Sequence, residues 1–163
     1  IFLNYSPELK NFLFWCQQLI AESLGKKNLG FLPVVSNAPK DHHSLLQLYL
    51  DGPKDKVFNI FSLNSKSSET IKVNHSHDST NFLNKKKFGV VKNAQKNSLV
   101  KSFIKKGIPF REFKIKKINE EALGELFSLF IIETVIIGKL LNINPFDQPA
   151  VEEIKTNTKK FLK

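Results

Sequence analysis

The sequence predicts an α/β fold: a three-layer sandwich with a mostly parallel sheet flanked by helices, plus a C-terminal helical segment. Three observations carry that prediction. Short apolar runs alternate with longer stretches whose apolar residues recur at helical spacing, the order that feeds parallel strands through helical crossovers. The 163 residues are 41% hydrophobic and include 15 phenylalanines, enough for one compact core. No internal repeat or linker interrupts them, so a single domain over residues 1–163 is expected.

The elements follow in order. Over residues 7–24, Leu9, Phe12, Leu13, Cys16, Leu19 and Ile20 repeat as on a helix, which Gly25, Lys26 and Lys27 end. Residues 31–35 read as a short buried strand. Asp41 is a candidate N-cap for a helix over residues 42–50, stopped by Asp51-Gly52-Pro53. Residues 57–63 form a second strand. Residues 64–79 are rich in Ser, Asn and His and say least, with a short strand expected at 70–73. A long helix covers about 80–106, its inner face set by Leu83, Phe88, Val91, Leu99 and Phe103, and Pro109 ends it. Residues 110–118 alternate apolar and charged side chains as an exposed or edge strand does. A second long helix spans 120–141, and a third starts after the turn NPFDQP.

The formal net charge of +10 comes almost wholly from lysine, with Arg111 the sole arginine. Readers of nucleic acid rely on the bidentate arginine fork, so the lysine clusters at 85–87, 105–106 and 116–117 read as solvated faces, and no nucleic-acid partner is expected. The single cysteine, Cys16, lies within a helical pattern and fits a reducing compartment. The longest apolar run, residues 126–138, is interrupted by Ser128, Glu133 and Thr134 and is too short to span a membrane. With no signal peptide either, a cytoplasmic protein without membrane association is expected. The chain has no methionine, even at residue 1, and is expected to be a piece of something longer.

Three stretches place reactive groups where the fold does not require them. In WCQQLIAESLGK, Gln18 and Glu22 stand four apart and share a helix face. Glu22 falls in the last turn, where the negative end of the helix dipole makes a carboxylate a somewhat stronger base. An exposed Gln/Glu pair on an ordinary amphipathic helix would look the same. In KDHHSLLQLYLDGP, a cap at Asp41 would put His42 and His43 in the first turn, where the positive helix end favours the neutral imidazole that exchanges protons with a hydroxyl. Two surface histidines at a helix start are the alternative. In NPFDQPAVEEIK, Pro149 suits a first helical turn, Glu152 and Glu153 complement the dipole, and Gln148 and Lys155, two turns apart, point the same way. Other candidates fail on number. His75 and His77 have ligand-like spacing but lack the further ligands of a metal site, Cys16 has no partners that mark a nucleophile, and the glycines form no phosphate loop.

Together and in this order, QQLIAESLGK, DHHSLLQLYLDGP and INPFDQPAVEEIK resemble three carboxy-terminal signatures of the glucose-6-phosphate isomerase family, in register over residues 4–163. The resemblance implies a sugar isomerase (SIS) domain, the second of two in a subunit. It implies interconversion of glucose 6-phosphate and fructose 6-phosphate, in glycolysis and gluconeogenesis, with no metal or organic cofactor. By position, Glu22 resembles the base that moves a proton between C2 and C1 through a cis-enediol, and Gln18 lines the site. His43, rather than His42, matches a histidine that assists ring opening and reaches the neighbouring subunit's site in a homodimer. Lys155 matches its lysine partner, and Gln148 a glutamine that binds the phosphate end. Two positions depart from the pattern: Ala150 stands where the family usually has glycine, and His42 where it often has glutamine. The amino-terminal domain, with its Ser/Thr phosphate loop and enediolate-stabilising arginine, has no match here, and Arg111 is no convincing substitute. The lone chain is therefore expected to be nearly inactive. The rival expectation is a non-catalytic sugar-phosphate-binding SIS module, which would not need Glu22.

Overall fold

Four short strands, β1 (Phe2–Asn4), β2 (Val35–Asn37), β3 (Phe58–Leu63) and β4 (Phe110–Ile115), pair in the order β2-β1-β3-β4, every neighbour parallel. Leu3 stands opposite Ser36 on one side and Ile60 on the other, and Ile60 opposite Glu112. The strands belong to a computed structural model that describes residues 1–63, 69–71 and 78–162. The chain divides into two compact units: Ile1–Lys10 with Val35–Ile118, and Asn11–Val34 with Asn119–Lys163.

In the first unit the central strands are buried save for Leu63 at the end of β3, while β4 on the edge is half-buried, with Arg111 and Lys114 exposed. Helices α2 (Leu46–Asp51) and α3 (Phe88–Lys106) pack on the sheet through a core of Leu3, Tyr5, Tyr49, Phe58, Ile60, Leu99, Phe103 and Ile108. Phe58 meets Phe103 and Tyr49 at ring-centre distances of 4.6 and 5.1 Å. Gly107 ends α3 in the left-handed region at φ 65°, and the Ile108 amide donates back to Phe103 at 2.9 Å, the closure a helix makes when glycine follows it. Thus Gly107, and not Pro109, is the stop.

The second unit holds α1 (Lys10–Leu24), α4 (Glu120–Leu140) and α5 (Pro149–Phe161). Asn119 caps α4 by accepting the Ala122 amide at 3.1 Å, and Glu120 and Glu121 follow in the first turn. The rings of Phe12 and Trp15 on α1 meet Phe127 on α4 edge-on, at 5.2 and 4.5 Å, and Phe12 also meets Phe130 at 5.9 Å. Among the described residues no helix is long and apolar enough to cross a membrane.

The α/β class and the parallel sheet flanked by helices are as the sequence predicts, and several boundaries are not. The run at 31–35 is not a strand: Phe31 and Leu32 are exposed, and β2 begins only at Val35, two residues past Pro33. Asp41 does not cap a helix over 42–50. It sits inside a single 3-10 turn, Lys40–His42, and its carboxylate accepts the Asn37 amide at 2.7 Å and the Ser36 hydroxyl at 3.1 Å, while α2 starts at Leu46. The long helix begins at Phe88 rather than 80, after a 3-10 turn over Asp78–Leu83 and a left-handed Lys85. Thr70 forms a bridge with Lys87, whereas residues 72 and 73 of the expected strand, like His75 and His77, lie outside the described residues. β4 stops at Ile115. The β1 strand has no counterpart in the sequence reading, because three residues are too few to show a period.

Candidate active site

The last turn of α1 holds Glu22 half-buried, and two amides fix its carboxylate. Gln18, one turn earlier, donates from Nε2 to Oε1 at 3.1 Å. Gln148, 126 residues further on, donates from Nε2 to Oε2 at 3.1 Å. The first contact follows from helical spacing; the second requires the turn before α5 to lie against α1. Gln148 can make it because it is the residue before α5, in a non-helical conformation, and its side chain caps nothing.

Three devices hold that turn. Lys26, its side chain only 10% exposed, pairs with Asp147 Oδ1 at 2.9 Å and donates to the Asn144 carbonyl. Lys27 donates to the Asn142 carbonyl at 3.3 Å. The Pro145 ring lies against Gly138 of α4, where an added Cβ would come within 3.1 Å of it. The Lys26 ammonium beside Asp147 holds that carboxyl below its ordinary value, with a further bond from Asn144 acting the same way. The loop after α1 is equally constrained. Gly30 has φ +109°, and a Cβ there would stand 2.6 Å from the Leu24 carbonyl oxygen, so only glycine fits. Lys27 and Asn28 both adopt left-handed backbone, at φ 54° and 59°.

Between this loop and the turn lies a cleft of about 730 Å³, lined by Glu22, Lys26, Asn28, Asp147, Gln148 and Val151 among others. Glu22, Asp147 and Gln148 also line a smaller hollow of about 270 Å³. The size suits a small metabolite, and the polar groups converge on one carboxylate. A carboxylate so oriented can take a proton from a bound molecule and return it, with the nearby ammonium offering a positive charge.

The structure therefore gathers Gln18, Glu22 and Gln148. It does not bring Lys155 to them: Lys155 is exposed on α5 and pairs with Glu152 at 2.6 Å, and it is not among the residues lining the cleft. Gln148 precedes the helix in a non-helical conformation and donates to Glu22, while Lys155 pairs with Glu152. His43 is exposed in the first unit, just after the 3-10 turn, while His42 is half-buried there with Nε2 2.6 Å from the Tyr5 hydroxyl. Arg111 on β4 donates to Asn59 Oδ1 at 2.8 Å and lies over the Phe113 ring. Among the described residues no three His, Cys, Asp or Glu side chains gather as they would around a metal ion. Lys26 and Asp147 escaped the sequence reading. Both stand inside quoted stretches, but Lys26 read as a helix-end cation and Asp147 as a turn residue.

A parallel-sheet α/β chain with an oriented carboxylate at a metabolite-sized cleft has the makings of an enzyme segment. Over nearly all its length the chain is similar to part of proteins named glucose-6-phosphate isomerase. It is 34% identical over 164 residues to the glucose-6-phosphate isomerase of Methanocaldococcus jannaschii, covering all of this chain and 40% of that protein. It is 36% identical over 160 residues to that of Mycoplasmopsis synoviae, covering 96% of this chain and 37% of the relative. The chain thus spans about two fifths of the length of these curated relatives. A crystal structure of a hypothetical protein from Thermus thermophilus superposes with a TM-score of 0.83 at 27% identity, over 99% of this chain and 40% of that one. A glucose-6-phosphate isomerase from Chlamydia trachomatis shares the fold, with a TM-score of 0.74 at 17% identity, over 99% of this chain and 34% of that one. No protein-family model matches the chain.

Proposed function

We propose that this chain is the carboxy-terminal SIS domain of a glucose-6-phosphate isomerase, with Glu22 as the base that shuttles the substrate proton. The observation that carries the reading is the Glu22 carboxylate, held by Gln18 and by Gln148 from the far end of the chain at 3.1 Å each. The likeness to isomerases over the whole chain supports it. A proton on carbon next to a carbonyl is hard to remove, so the base must be held within about 3 Å of it and donors must meet the developing oxygen charge. Glu22 takes the proton from C2 of the open-chain aldose, the electron pair forms the C1–C2 double bond while O1 takes up a proton to give the cis-enediol, and the same carboxyl returns its proton to C1 while O2 gives up its own to give the ketose. Gln148 binds the phosphate end, giving up its bond to Glu22 as it does so. His43 and Lys155 open the sugar ring, His43 across a homodimer, and Lys155 leaves Glu152 to act.

The amino-terminal part of the subunit supplies the phosphate loop and the cation for the enediolate, so the isolated chain turns over poorly. The protein works in the cytoplasm, in glycolysis and gluconeogenesis. A coupled assay on the full-length subunit tests the reading. Glu22→Gln should lower kcat about 10²- to 10⁴-fold with little change in KM. Unchanged isomerisation would favour the non-catalytic sugar-phosphate-binding module instead.

A further inference from the structure

We infer that His42, pinned to the buried Tyr5, is a positioning residue that sets the direction of His43. The inference rests on the ring-opening role proposed for His43. Tyr5 directly follows β1 and is 1% exposed, its ring packed in the core with Leu3, Tyr49 and Ile60. A buried phenol needs a partner for its hydroxyl. Here the partner is His42 Nε2 at 2.6 Å, and the two rings meet edge-on at 5.6 Å.

The same turn is tied down elsewhere. The Asp41 carboxylate takes the Asn37 amide at 2.7 Å and the Ser36 hydroxyl at 3.1 Å, the Ala38 amide donates to the Asn4 carbonyl at 2.9 Å, and the His43 amide donates to the Lys40 carbonyl at 3.1 Å. In a 3-10 turn successive side chains diverge by about 120°, so a ring held inward at one position sends the next one out. His43 is indeed exposed. An imidazole that exchanges protons with a hydroxyl must keep its orientation, and the pinned neighbour supplies that to His43. Among the described residues two titratable groups face His42: Tyr5, from the end of β1, and Asp41, on its own turn. Burial lowers the His42 pKa, with Asp41 opposing, and burial raises that of Tyr5, so both stay neutral near pH 7.

The test uses the full-length isomerase subunit and four variants, His43→Ala, Tyr5→Phe, His42→Ala and His42→Gln, each assayed for kcat and KM on glucose 6-phosphate. Tyr5→Phe and His42→Ala should lower kcat roughly tenfold to a hundredfold at nearly unchanged KM. His42→Gln should restore most of it, because an amide N–H can still bond the phenol oxygen. If His43→Ala leaves kcat intact, the role of His43 itself is wrong. If His43→Ala abolishes turnover while Tyr5→Phe and His42→Gln both match wild type and a folded His42→Ala does too, the positioning role is overturned. Should His42→Ala fail to fold, Tyr5→Phe still decides: wild-type kcat there overturns the inference.

Discussion

Cys16 shows how one residue's surroundings settle its chemistry. It is fully buried on α1, and burial pushes its thiol up to about 12, with Glu133 adding to the effect and a backbone hydrogen bond opposing it. The nucleophile is the thiolate, so the native protein should be almost inert to a thiol reagent at neutral pH and label fully once denatured. Rapid labelling of the folded chain at pH 7.5 would contradict that burial. Gln18 and Glu22 were legible together from sequence, because residues four apart on a helix are neighbours on one face. What depends on chain reversal was not legible. Nothing local says that Lys26 reaches Asp147, or that the Gln148 amide turns back to Glu22 while Lys155 settles on Glu152.

Between elements, α3 and β4 are joined by an ion pair that the charge pattern hid. Lys96, 8% exposed, donates to Glu112 Oε1 at 2.9 Å, and Lys114 approaches Glu112 Oε2 at 3.2 Å. Burial pushes the Glu112 carboxyl up, but the bonds from Lys96 and Lys114 outweigh it and hold the group below its ordinary 4.5. The folded chain therefore binds fewer protons here than the unfolded one near that value. The stabilisation is complete above about 4.5 and fades as pH falls through the depressed range. Lys96→Met should cost about 2 kcal/mol in urea denaturation at pH 7, between the exposed and fully buried cases, and should flatten the acid limb of stability. A cost near zero with the acid limb unchanged would show the pair to be idle. At this scale the helices with long amphipathic repeats and clear ends, α1 and α4, were legible. The three-residue strands were not, and a proline inside FLPVV moved β2 past the apolar run that had stood for it.

For the whole molecule, the parallel class followed from alternation alone, because strands separated by helical stretches have few other ways to pair. The proposed function came instead from three short stretches in register, and two of them, with Gln18, Glu22 and Gln148, meet at one carboxylate. The chain spans about two fifths of its relatives, and the proposed reading requires the rest of a subunit for turnover. A coupled assay of the isolated chain is expected to give almost none, and a rate close to that of the full-length enzyme would refute this dependence. The central claim is that Glu22 carries the proton, and the most direct measurement follows deuterium from C2 of labelled glucose 6-phosphate in the full-length subunit. The wild-type protein should release the label to water and pass part of it to C1 of the fructose 6-phosphate formed, and Glu22→Gln should slow both about 10²- to 10⁴-fold. Loss of label from C2 at the wild-type rate in Glu22→Gln would contradict the account.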